Sequence, residues 1–197
     1  MRLLPLPGGI LKLRLEFDEA QLLDGLVSQL IDLLQSHSQT TLDPDPLFAS
    51  LEVGGSDSLP EDPALARLFP DAFEDEAEAS AFRRLNEQGL VNRKMQDALD
   101  VSSALGLGNA PDIDGERIIE VDITARSMSA WVRTLTALRI AIAARIGLNA
   151  EGDQVHLLAS DETRGTVLVY DWLAAILDSI LRMSEEAAEE PEDTENG

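Results

Sequence analysis

Residues 166–183, TVLVYDWLAAILDSILRM, are among the most apolar runs in a 197-residue chain whose formal charge is −22. Such a run can go to a bilayer, a core or a partner's groove. A membrane span needs about 20 predominantly apolar residues. Asp171 and Asp178 interrupt this one and share a helix face with Arg182, and an aspartate at the bilayer centre costs about 2.5–3.5 kcal/mol. The run therefore predicts a helix of the folded body, from Asp161 or Thr163 to about Met183, apolar on most sides because the other helices pack around it. If its face around Tyr170 and Trp172 is instead left open, those aromatics are candidate anchors for a protein partner, and a homodimer becomes possible.

Aromatic residues make up only 4% of the chain, a balance that favours helix packing over a β-sandwich. Two short stretches depart from it. Residues 10–17, ILKLRLEF, put Leu11, Leu13, Leu15 and Phe17 on one face and Lys12, Arg14 and Glu16 on the other. Residues 117–123, RIIEVDI, repeat the alternation with Ile119, Val121 and Ile123 against Glu120 and Asp122. Period two reads as a half-buried strand, and opposite charges on the two outer faces predict that the strands pair as an antiparallel ribbon. Helices are expected over about 19–35, capped by Asp18 with Gln21 reaching back, over 63–69, over 75–105 with a break at Gly89, and from Thr124 or Ser127 to Ile146 with Gly147 as terminator. The fold class predicted is mainly α: a helical bundle around a central C-terminal helix, with a small two-stranded antiparallel β-ribbon at about 10–17 and 117–123.

Charge divides the chain further. The stretch 36–62 holds six acidic residues and no basic one, with three prolines and two glycines, and 185–197 holds seven acidic residues and no basic one. A single helical domain over 1–184 is expected, with a mobile acidic loop at 36–62 and a disordered acidic tail at 185–197. Linker and tail together supply more than half of the negative excess, so the body is only mildly acidic. The 111–147 segment is neutral and carries Arg126, Arg133, Arg139 and Arg145. Arg126, Arg133 and Arg139 join Tyr170 and Trp172 as candidate partner-binding residues.

No catalytic, cofactor or metal constellation emerges. There is no cysteine, which removes disulfides, thiolate metal sites and thiol redox chemistry from these residues. APDIDGERIIE lacks two charged ligands of a calcium loop and reads as a polar turn before a strand. ALGLGN at 104–109 lacks the Lys-Ser/Thr of a phosphate loop and reads as a helix ending. His37 and His156 stand without a second ligand at metal spacing and are expected at the surface. Arg83, Arg84, Arg93 and Lys94 form an alternative nucleic-acid patch, diluted by Glu76, Glu78, Glu87 and Asp97. A chain this acidic mostly repels a polyanion, so direct nucleic-acid binding is not the expected mode. The N-terminal MRLLPLPGGILKL is broken by Pro5, Pro7, Gly8 and Gly9 and has no small-residue cleavage site, so a cytoplasmic, non-membrane protein is expected.

The ordered motifs DPALARLFPDAF, FRRLNEQGLVNRKMQDAL, WVRTLTALRIAIAARIGL and VYDWLAAILDSIL resemble the actinobacterial family of AosR-like oxidative stress regulators, formerly a domain of unknown function. The resemblance covers most of residues 10–183 and fails over the linker. It implies a non-enzymatic, cytoplasmic transcription-associated regulator that contacts a sigma factor or another transcription component and supports cysteine-biosynthesis genes in oxidative stress. The redox-sensing cysteine pair that the resemblance would imply is absent. The alternatives are a DNA-binding regulator using the basic residues of the 75–105 helix, with the acidic tail masking them, or a structural adaptor with no role in transcription.

Overall fold

A computed structural model describes residues 1–41, 58–107, 117–150 and 152–189. In chain order these form β1 (Arg2–Leu6), β2 (Ile10–Glu16), α1 (Phe17–Thr41), α2 (Pro63–Leu68), α3 (Glu76–Leu105), β3 (Ile118–Ile123), α4 (Met128–Ile146), α5 (Asp153–Ala159) and α6 (Asp161–Glu189). The protein is mainly helical with one small antiparallel sheet.

The sheet has the order β1-β2-β3, so the expected ribbon gains a third strand. The pairing of β2 with β3 places Lys12 opposite Asp122 and Arg14 opposite Glu120. Lys12 Nζ lies 3.3 Å from Glu120 and 3.6 Å from Asp122, and Arg14 Nε 2.9 Å from Glu120. The opposite face is apolar and buried: Leu11, Leu13, Leu15, Ile119, Val121 and Ile123 all enter the core. β1 contains Pro5, and an edge strand tolerates a proline because it has a ladder partner on one side only. Gly8 and Gly9 turn β1 back onto β2 with φ of 80° and 70°, a left-handed backbone that glycine adopts without strain. The strand expected to include Phe17 ends at Glu16. α1 therefore starts earlier than expected, and Glu19, not Gln21, makes the reaching contact by accepting the Glu16 N–H at 2.9 Å.

The helix boundaries follow their capping residues. Asp62 accepts the N–H groups of Ala64 and Leu65 ahead of Pro63, and Asp75 accepts that of Glu78. Gly106 and Gly147 close α3 and α4 in the left-handed conformation. α3 runs through Gly89 without the expected break. α1 continues to Thr41, beyond the expected stop at 35, and α6 to Glu189, so 36–41 and 185–189 are helical. Most of the acidic linker (42–57), most of the proposed calcium-loop turn (108–116) and the tail beyond 189 lie outside the described residues.

The expectation of a central C-terminal helix is corrected. α6 buries one face, through Val167, Leu173, Ile176, Leu177 and Ile180, while Leu168 and Leu181 remain 58% and 42% exposed. α4 is the helix in contact with α1, α2, α3 and α6. It buries Trp131, Leu135 and Leu138 together with the small residues Ala130, Ala137 and Ala143, which let neighbouring helices approach. Among the described residues no helix is long and apolar enough to cross a membrane.

Candidate functional site

The five partner-binding candidates do not form one surface. Arg126 is exposed in the turn before α4. Arg133 reaches across to α3 and grips Asp97, with Nε 2.6 Å from Oδ2 and Nη2 2.7 Å from Oδ1. This hydrogen bond, more than the nearby charge, raises the Arg133 pKa further. Arg145 is bound to Asp62 at 2.7 Å. Trp172 packs half-buried against the core. Arg139 and Tyr170 do meet: the guanidinium carbon lies 4.5 Å from the ring centroid, a cation–π contact joining α4 to α6.

The alternative nucleic-acid patch is also divided. Arg83 is 6% exposed and ion-paired to Asp71. Lys94 lies 5.8 Å from the centroid of Phe69, and burial, its main influence, lowers its pKa. At about 100° per residue, Arg84 and Arg93 fall on opposite sides of α3. Arg83 and Lys94 thus face inward, and the two exposed arginines point apart.

His37 corrects a further expectation, since it is 7% exposed instead of lying on the surface. Its Nε2 is 2.8 Å from Oε1 of Glu87, itself 2% exposed, and its ring stacks on Phe69 at 5.6 Å. This buried link ties the end of α1 to the middle of α3 and to the residue after α2. Its polarity is structural by position, because a buried polar group needs its hydrogen bonds.

The groove between α1, α4 and the start of α6 was not anticipated. It encloses about 760 Å³ and is floored by Leu26, Leu30, Leu33, Leu138, Ile142 and Val169, with Asp32, Asp161 and Glu162 among its lining residues. Its origin is legible in α1. Leu23, Val27, Leu30 and Leu34 are buried in the core, whereas Leu26 and Leu33 lie on a flanking face, half-buried. A leucine stripe broader than one contact face was the available signal. Arg145 lines the groove but is engaged by Asp62. The resulting lining is largely apolar with three acidic residues, a composition suited to an amphipathic helix carrying basic residues.

The family described as Domain of unknown function (DUF2017) matches residues 3–184. A protein of Mycobacterium leprae (strain TN) with the name "Putative oxidative stress regulator AosR" is 26% identical over 173 residues, covering 80% of this chain and 75% of that protein. No solved structure matches the chain.

Proposed function

The chain belongs to the DUF2017 family, and from that premise we propose that it is a cytoplasmic, non-enzymatic regulator acting by protein contact on the transcription machinery in oxidative stress. The name of the Mycobacterium leprae relative supports a regulatory role. The groove between α1, α4 and α6 carries the rest of the reading: an apolar lining that also includes Asp32, Asp161 and Glu162 fits an apolar helix face flanked by Lys or Arg. The partner proposed is a sigma factor, met through such a helix. Because these 197 residues contain no cysteine, the signal does not enter as thiol oxidation here.

The purified sigma factors of the source organism, titrated against the fluorescently labelled chain, test this reading. One of them is expected to bind saturably, and Val169→Arg in the groove floor is expected to weaken binding at least tenfold. Leu85→Arg on the exposed face of α3, where Leu85 is 65% exposed, is expected to leave it unchanged. Absence of saturable binding to any sigma factor, or equal binding by Val169→Arg, overturns the proposal.

A further inference from the structure

A second cleft opens on the other side of α4. At about 100° per residue, Thr136, Arg139, Ile140 and Ala143 occupy the face opposite Leu138, Ala141, Ile142 and Arg145. The cleft encloses about 470 Å³ between that face, the 148–150 loop, α5 and Tyr170 of α6. Two arginines, Arg67 and Arg139, line it, and no carboxylate does among the described lining residues. In a chain of charge −22 this is a local reversal of sign.

The two arginines differ in occupation. Arg67 donates to the Leu148 carbonyl at 3.0 Å and to the Asn149 side chain, and so pins the loop. Arg139 differs from Arg133 and Arg145 on the same helix, each of which has its own aspartate. Its Nε is shut off from solvent without a hydrogen-bond partner, and Tyr170 lies against the guanidinium. No described carboxylate pairs with it. A sealed donor without an acceptor is unfavourable, a cost that an incoming acceptor removes.

We propose that this cleft is a receptor site for a small organic monocarboxylate, its carboxylate paired with Arg139 and its apolar body against Ile140, Ala143 and Leu148. A planar guanidinium suits a planar carboxylate, and the volume lies in the usual range for small-molecule sites, about 300–1,000 Å³. Two acidic neighbours limit the charge of the ligand. Asp153 accepts the backbone N–H groups of Asn149 and Ala150, both at 2.8 Å, and Asp171 holds the Gln154 amide with both oxygens at 2.9 Å. Both acidic side chains stand next to the cleft wall, which favours one negative charge on the ligand over two or three.

Amide-proton NMR titration of the full chain tests the site with butyrate and benzoate as probes, butyramide and benzamide as uncharged matches, and inorganic phosphate as a plain anion. The expected result is saturable shifts from either acid, centred on residues 136–143, 148–154 and 170. Each amide is expected to bind at least tenfold more weakly than its acid, as is phosphate. Arg139→Gln is expected to weaken the acids at least tenfold, and Arg126→Ala to leave them unchanged. The acid-against-amide comparison uses the unaltered chain and so stands even if Arg139→Gln fails to fold. No saturable shift from either acid, shifts centred elsewhere, or phosphate or amide binding as tight as the acids overturns the site.

Discussion

Arg133 on α4 and Asp97 on α3 form a two-pronged ion pair, Nε to Oδ2 at 2.6 Å and Nη2 to Oδ1 at 2.7 Å, in which the aspartate side chain is 9% exposed and the arginine 50%. The asymmetry decides what each partner's removal does. Arg133→Ala leaves a nearly buried carboxylate unpaired, and a loss of about 1–3 kcal/mol in unfolding free energy is expected. Arg133→Ala combined with Asp97→Ala is expected to cost less than the sum of the two single changes. Urea unfolding of the two single variants and the double variant measures both.

The contact of His37 with Glu87 predicts a larger effect than its place near the end of α1 suggests. Both side chains are sealed, and the bond joins two long helices. Glu87→Ala removes this bond between two buried side chains and is expected to cost about 1–3 kcal/mol. Thermal unfolding followed by circular dichroism shows it as a drop in Tm of several degrees, whereas Glu78→Ala on the exposed first turn of α3 changes Tm little.

Lys94 provides a pH test with a defined sign. Burial lowers its pKa below 10.5, the influence of Asp97 opposes this, and Arg133 adds to the lowering. Below the lowered pKa the lysine is charged in both states and the folded protein bears the full desolvation cost. As pH rises from that value through 10.5 the cost disappears, because in that window the folded protein has released a proton that the unfolded chain still binds. Lys94→Met keeps an apolar stem against Phe69 and removes the charge, so it is expected to be more stable than the parent at pH 7. That advantage is expected to shrink as pH rises towards 10.5 and to be gone above it. Lys12, whose pKa is raised first by its bond to Glu120, loses stabilisation as pH rises from 10.5 to that raised value, but it does so in both proteins and cancels in the difference. Urea midpoints of the pair at pH 7 and above 10.5 report the change.

Much of this framework is visible in the residues, and the misses have physical causes. Alternation at 10–17 and 117–123 marks β2 and β3 and their buried faces, and the charges of Lys12, Arg14, Glu120 and Asp122 indicate their pairing. Asp75, Gly106 and Gly147 mark helix ends through local hydrogen bonding. β1 is obscured because Pro5 is a strand breaker everywhere except at an edge. α5, DQVHLLA, buries no residue and so leaves no periodic stripe to read. The rank of α4 over α6 is a tertiary property. Apolar content favours α6, but being surrounded depends on close approach, which the alanines of α4 permit. The burial of His37, expected at the surface, was missed for the same reason: its partner Glu87 is 50 residues away in the chain. The groove and the Arg139–Tyr170 contact likewise arise only when helices distant in sequence are brought together.

The groove floor also makes a prediction about the isolated protein. Val169 and Leu33 are half-buried on facing helices at an open surface, so a long polar side chain there can reach solvent. Val169→Arg is expected to keep the circular dichroism spectrum of the parent and to lower Tm by no more than a few degrees. Val167→Arg, at a position with 0% exposure two residues earlier, is expected to unfold the protein.

Backbone hydrogen exchange of the chain with and without the proposed sigma-factor partner tests the docking account most directly. Slowed exchange concentrated in residues 26–33, 138–145 and 161–169 is the predicted result. Slowed exchange confined to other surfaces, with these three segments unchanged, would contradict it.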